Sequence, residues 1–387
     1  MDSIISLDQT YVAGTYGRFP VHLTAGKGSL LTGADGKQYI DLTSGIGVTA
    51  FGTADDEWVA AVTHQLSQLQ HVSNLYYTDP CAKLAQLLCQ RTGMKKVFFC
   101  NSGAEANECA IKYARKYSMD KKGADCYHII TLKNSFHGRT LTTLAATGQD
   151  HYHELFQPLT PGFLHVEAGN LEGLEKLVAQ YPTAGIMLEC VQGEGGVVPL
   201  SRDFITGVAA LCRREDIPLM IDEVQTGNGR SGKLYSFMHF GIEPDIVSTA
   251  KGLGGGLPIG ATLLGEKVQN ALGPGDHGST YGGNPVCCAG ALSIVERLTD
   301  DFLAEVTQQS DFIFTQLQGS EGVEGVTGLG LMIGIQTVKP AKDVVNACME
   351  QGVLCLTAKD KVRLLPALNI PMAQLQQAVQ IIKEACK

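Results

Sequence analysis

No apolar run in this 387-residue chain approaches the roughly 20 residues a membrane-spanning helix needs, so no membrane partner is expected. Basic residues are in deficit. Thirty Lys and Arg stand against 39 Asp and Glu, a formal net charge of -9, and the electropositive footprint of a nucleic-acid binder is missing. The opening MDSIISLDQT has neither the basic n-region nor the long apolar core of a signal peptide, which points to a cytoplasmic protein. None of the 12 cysteines forms a C-x-x-C pair. Cys287 and Cys288 are adjacent, and Cys100 and Cys190 close apolar runs, a pattern of reduced buried thiols rather than of a disulfide framework or a zinc site. The histidines are scattered. His151 and His153 lack an acidic or cysteine partner in pattern, so no metal is expected.

What is present is an ordinary globular composition, 44% apolar and 18% charged, on a chain long enough for two domains. The most informative stretch runs from Pro218 to Gly256. An apolar run, Ile217-Pro-Leu-Met-Ile, ends in Asp222 and Glu223, and a second, Ile246-Val-Ser-Thr-Ala, ends in Lys251 and a glycine-rich tail. Short apolar runs closed by polar residues read as buried strands of a parallel sheet, whose ligands lie outside the carboxyl ends of the strands. An acid and a lysine placed there suggest pyridoxal phosphate: an amine can hold its aldehyde, and a carboxylate can keep its ring nitrogen protonated. Singly, Asp222 also reads as a helix N-cap and Lys251 as a solvated loop cation.

Elsewhere, helices and strands alternate from about residue 55. Lys96-Val-Phe-Phe-Cys100 reads as a strand leading through Asn101-Ser-Gly-Ala-Glu-Ala-Asn107 into a long helix. Ser102 and Glu105 have capping-box spacing, and a glycine turn at a helix N-terminus offers free N–H groups and a favourable dipole to a phosphate. The nucleotide-binding pattern G-x-x-x-x-G-K-[ST] is absent from this turn. The turn Asn134-Ser-Phe-His-Gly-Arg-Thr140 offers an aromatic ring and a guanidinium suited to clamp a carboxylate. Glu194 lies between glycines, and Arg363 lies inside an apolar strand, where an arginine is rarely left unpaired. Thr43 to Gly47 reads as a flexible link, Leu257 to Gly265 as a strand pair around a proline-fixed turn, and the first fifty residues as turns and short strands.

Eight motifs in order resemble the class III aminotransferases of the fold-type I pyridoxal-phosphate enzymes. They are Tyr16-Gly-Arg-Phe-Pro, Asn101-Ser-Gly-Ala-Glu-Ala-Asn, Ser135-Phe-His-Gly-Arg-Thr, Gln192-Gly-Glu-Gly-Gly, Asp222-Glu-Val-Gln-Thr-Gly, Ser248-Thr-Ala-Lys, Ser279-Thr-Tyr-Gly-Gly-Asn-Pro and Gly330-Leu-Met-x-Gly. The resemblance covers nearly the whole chain. It implies an α/β fold with a large domain on a mostly parallel seven-stranded sheet and a smaller α+β domain from both termini. The expected segments are 1–50, 51–289 and 290–387, the middle one holding the cofactor.

The resemblance also implies roles. Lys251 and Asp222 would be catalytic, the lysine holding the cofactor and the acid pairing with its ring nitrogen. Ser102, Gly103 and Ala104 would bind the phosphate, Phe136 would stack on the ring, and Glu223, Val224 and Gln225 would complete the cradle. Thr280 would reach the phosphate of the neighbouring subunit, which makes a homodimer the expected assembly. Tyr16, Arg18, Arg139, Glu194, Ser279 and Arg363 would meet substrate, with Glu194 releasing Arg363 when 2-oxoglutarate binds. Tyr16-x-Arg18 resembles the branch acting on N2-acetylornithine; succinylornithine, ornithine or 4-aminobutyrate as donor, and an aminomutase reaction, stay open. One stretch departs from the family pattern, Phe51-Gly-Thr-Ala-Asp-Asp-Glu-Trp58, and is expected to alter how a helix starts without touching the chemistry.

Overall fold

A computed structural model describes residues 3–387. Its largest sheet has seven strands, in the order Lys96–Cys100, Gly260–Leu264, Ile246–Thr249, Leu219–Asp222, Thr183–Leu188, His128–Leu132, Phe163–Val166. Gly260–Leu264 runs antiparallel to both neighbours, and the other pairs are parallel. The central strands are buried along their whole length, as a sheet covered by helices on both faces requires. Gly103–Lys122 packs on one face and contacts five of the strands, and the amphipathic Arg202–Arg214 turns Phe204, Ile205, Val208 and Leu211 inward.

The amino- and carboxyl-terminal segments meet. Leu23–Lys27, Leu30–Gly33 and Gln38–Asp41 form a meander that gains Val353–Leu354 as a parallel fourth strand. A second four-stranded sheet joins Val323–Leu329, Met332–Thr337, Lys361–Leu364 and Leu356–Ala358. Asp300–Leu317, Ala341–Glu350 and Met372–Cys386 pack together around these sheets. One apolar core runs without a break from Ile40 and Leu42 through Ile221 and Leu263 to Leu375 and Ile382.

Three local expectations differ from the structure. Residues Ile4–Tyr11 form a helix capped by Ser3, where only turns and short strands were expected. Leu257 to Gly265 holds one strand, because Leu257 and Pro258 belong to the loop lining a cavity rather than to a partner strand. Thr43 to Gly47 is a tight left-handed turn, Ser44 to Gly47 all at positive φ, with Ser44 and Gly47 buried and Asp41 Oδ1 accepting from the Thr43 and Ser44 N–H groups. The departing stretch at 51–58 does set a helix start: Asp55 caps Asp56–Gln68 by accepting from the Trp58 N–H and pairs with Arg297 at 2.8 Å. It also reaches further than expected, because Trp58 Nε1 donates to the Gly254 carbonyl at 3.0 Å, bracing the glycine tail behind Lys251.

Candidate active site

The carboxyl ends of the parallel strands open into a cavity of about 470 Å³. Such a crevice is where open α/β sheets bind ligands. Its wall takes Asn101, Ser102, Gly103, Ala104 and Asn107 after the first strand, Phe136 to Arg139 after another, then Glu189, Asp222, Val224, Gln225 and Lys251.

The phosphate-binding end follows from local geometry. Ser102 caps the helix by accepting from the Glu105 N–H at 3.2 Å, while Glu105 Oε2 reaches back to accept from the Asn101 N–H at 2.6 Å and from the Ser102 hydroxyl at 3.5 Å. The first N–H groups of a helix have no partner within it, and those of Gly103 and Ala104 lie on the cavity wall with the positive end of the helix dipole. A Cβ at Gly103 would stand 2.6 Å from Val224 Cγ1, so only glycine keeps this end open.

At the other end Asp222 is 3% exposed and held by three donors. Oδ2 accepts from Asn107 Nδ2 and lies against His137 Nδ1, both at 2.8 Å, and Oδ1 accepts from the Val224 N–H at 3.0 Å. Asn107 is fixed in turn by Ser248, whose hydroxyl donates to Asn107 Oδ1 at 2.5 Å. Burial opposes a charged imidazole at His137, but the hydrogen bond and the charge of Asp222 outweigh it and raise its pKa above the usual histidine value. Glu189 stands beside them with Oε2 accepting from the Phe136 N–H at 3.1 Å; burial pushes its carboxyl up to about 7, against the pull of His137.

Lys251 follows its strand in a left-handed conformation with φ of 46°, strain of roughly 1–3 kcal/mol for a residue with a side chain. Its amine makes no hydrogen bond or ion pair with any described residue. Burial lowers its amine below the ordinary lysine pKa and Arg363 adds to that, against Glu194 and Asp222. Glu194 and Arg363 do not line the cavity; Gln225, which does, connects them to it. Arg363 Nη1 donates to Glu194 Oε1 at 2.5 Å and to Gln225 Oε1 at 3.2 Å, and Gln225 Nε2 donates to Glu194 Oε1 at 3.2 Å. Burial alone would raise the Glu194 carboxyl, but the charge and hydrogen bond of Arg363 hold it below its usual range.

These residues fit pyridoxal 5'-phosphate. Two free N–H groups at a helix N-terminus suit its phosphate, a triply held carboxylate suits its ring nitrogen, and an unpartnered amine on the cavity wall suits its aldehyde. Phe136 and Val224 supply apolar walls for the ring.

Five expected positions are placed elsewhere. Glu223 is fully buried and turned away from the cavity, because Thr226, Ser236 and the Phe237 N–H occupy its oxygens at 2.6, 2.7 and 2.9 Å. These contacts fix the loop after Asp222. Tyr16 and Arg18 stay outside the cavity as well. Arg18 pairs with Asp8 at 3.2 Å and stacks over the Tyr16 ring, which is itself 73% exposed. Thr280 lines a separate cavity with Ser73 to Thr78, Phe98 and His277. Ser279 lines that second cavity too, and its hydroxyl joins it to the first by accepting from Asn101 Nδ2 at 3.0 Å. Asn107, His137 and Glu189 carry weight that the sequence reading did not give them. Asn107 and His137 stood inside the motifs already singled out, and Glu189 closed a strand just as Asp222 does.

A family model for the class-III aminotransferases matches residues 11–386. Acetylornithine aminotransferase of Haemophilus ducreyi is 50% identical over 385 residues, covering 99% of this chain and 98% of that protein. Among solved structures, N-acetylornithine aminotransferase of Stenotrophomonas maltophilia is similar with a TM-score of 0.85 at 34% identity, covering 99% and 98% of the two chains. Ornithine aminotransferase of Toxoplasma gondii is similar with a TM-score of 0.94 at 28% identity, covering 99% and 94%. With its unpartnered amine, its anchored carboxylate and its phosphate-ready helix end all on a chain matched almost from end to end, the protein belongs to the class III aminotransferases, a pyridoxal-phosphate-dependent family.

Proposed function

We propose that the enzyme transfers the δ-amino group of N2-acetyl-L-ornithine to 2-oxoglutarate, giving N-acetyl-L-glutamate 5-semialdehyde and L-glutamate. The observation that carries the reading is the half-identical, full-length relative bearing the name acetylornithine aminotransferase. The cofactor supplies an aldehyde that exchanges amines and a pyridinium ring that accepts electrons from the carbon losing its proton. The chain supplies the rest. Asp222, fixed in place by Asn107, His137 and the Val224 N–H, would hold the ring-nitrogen proton. Gly103 and Ala104 fix the phosphate. The Lys251 amine, desolvated and held below its ordinary pKa, suits the transfer of a proton from the amine-bearing carbon of the donor. Arg139, on the cavity wall, offers a fork of N–H donors to the donor carboxylate. Glu194 keeps Arg363 occupied while the donor reacts and yields it to a second carboxylate when 2-oxoglutarate arrives.

The active unit in this reading is a homodimer. Leu75, Tyr76, Tyr77 and Tyr281 are 79%, 71%, 107% and 62% exposed, an apolar surface around the cavity that holds Thr280. A second reading, an ornithine δ-aminotransferase, is favoured by the likeness to the Toxoplasma gondii structure. Glutamate formation from N-acetylornithine and from ornithine, each with 2-oxoglutarate, separates the two. The proposal expects kcat/KM at least tenfold higher for the acetylated donor, and a preference for free ornithine overturns it.

A further inference from the structure

Arg139 is unlike the other arginines near the site. Arg363 is tied to Glu194, and Arg230 is spent on backbone carbonyls. Arg139 makes no hydrogen bond and no ion pair with any described residue. Two aromatic faces hold it: its guanidinium carbon lies 4.2 Å from the centroid of Tyr152 and 5.5 Å from that of Phe136. The Phe136 and Tyr152 rings meet edge to face, 5.7 Å apart at 68°. The Tyr152 ring is braced in turn by His151, with centroids 3.9 Å apart. Phe136 belongs to the cofactor cavity, but Tyr152 comes from a short helical turn, Asp150–Tyr152, outside every motif of the sequence reading.

We infer that Tyr152 is a positioning residue for the substrate carboxylate. A carboxylate partner would orient Arg139 but neutralise it and consume its donors. An aromatic face orients the guanidinium through the ring quadrupole and leaves its five N–H donors and full charge to the ligand. The ligand class is an aliphatic chain ending in a carboxylate. Both proposed substrates qualify, since N-acetylornithine carries one carboxylate and 2-oxoglutarate carries two for two arginines. This inference rests on the proposed role of Arg139 as the carboxylate clamp.

The test compares Tyr152→Leu, Tyr152→Phe and Arg139→Ala with wild type. Two readouts are used: KM and kcat with N-acetylornithine, and a titration of the cofactor absorbance with glutarate, which binds without reacting. Tyr152→Leu should raise KM and the glutarate dissociation constant roughly three- to tenfold, the range of a partly exposed cation–π contact, with kcat and the unliganded spectrum unchanged. Tyr152→Phe keeps the ring face and should stay within about twofold of wild type. Loss of kcat or of the cofactor spectrum in Tyr152→Leu overturns the inference in favour of a structural role for the ring. Unchanged glutarate binding in Tyr152→Leu, with weakened binding in Arg139→Ala, overturns it while leaving the clamp intact. Unchanged binding in Arg139→Ala overturns the clamp itself, and the inference with it.

Discussion

Replacing Glu194 with glutamine tests the proposed switch without emptying its space. The Arg363 side chain is 4% exposed and that of Glu194 26%. Removing one charge from a fully buried pair costs about 3–5 kcal/mol, because the remaining charge is left uncompensated. Here the penalty is smaller. Glu194 is a quarter open to water, and Gln225 Oε1 still accepts from Arg363 Nη1, as would the new amide oxygen. About 2 kcal/mol is then the working figure. In the wild type, a carboxylate of 2-oxoglutarate must displace Glu194 before it gains Arg363. In the variant it displaces only a neutral amide, so the 2 kcal/mol reappears as affinity, roughly 10- to 30-fold. Stopped-flow measurement of each half-reaction separates the outcomes. The acceptor half-reaction of Glu194→Gln should saturate at 10- to 30-fold lower 2-oxoglutarate, the donor half-reaction should keep its KM, and excess 2-oxoglutarate should now inhibit the donor step. The fluorescence of Trp58, the single tryptophan, which is bonded to the loop behind Lys251, reports whether the fold around the cofactor survives. Identical acceptor saturation in variant and wild type would refute the switch.

Two further predictions follow from the same geometry. In Gly103→Ala the new Cβ would meet both Val224 methyls, at 2.6 and 2.8 Å, and overpacking of about 1–3 kcal/mol should weaken cofactor reconstitution roughly 5- to 100-fold, followed by absorbance and Trp58 fluorescence; reconstitution within twofold of wild type would contradict the cradle. Burial raises the Glu189 carboxyl from 4.5 to about 7, so between those values the folded apoenzyme binds more protons than the unfolded chain and its stability falls as pH rises. Urea unfolding of the apoenzyme at several pH values should show that downward slope lessened in Glu189→Gln, and equal slopes would mean that Glu189 is ionised throughout.

The cofactor end was legible because it is built locally. Asp222 and Lys251 each sit at the end of a single strand, and the phosphate end is one strand-to-helix turn, so apolar runs and a glycine placed them without tertiary knowledge. What escaped depended on contacts across long separations. Glu223 looked equivalent to its neighbour Asp222, yet Ser236 and the Phe237 N–H claim it from the far side of the loop. Tyr152 lies outside every motif of the sequence, and nothing in local spacing announces that the Arg139 guanidinium sits over its ring. The Thr43 to Gly47 turn read as flexible because its glycines were visible, while Asp41 and the packing that pin it were not.

The same distinction runs through the chemistry. The cavity wall around the cofactor is drawn almost wholly from residues between Asn101 and Ile259, on one sheet and its loops. Arg363 comes instead from the antiparallel strand Lys361–Leu364. Its partner Glu194 sits on a loop tied to that second sheet, with Thr327 Oγ1 donating to the Val197 carbonyl at 2.8 Å. Lys359 bonds Asn134, two residues before Phe136. In the proposed reading, holding the cofactor and choosing between amino donor and oxoacid are therefore physically separable tasks. The first belongs to a sheet edge whose strands are buried and stiff. The second belongs to one ion pair spanning two sheets, so substitutions that loosen the contact between the sheets should alter acceptor kinetics before they alter cofactor affinity.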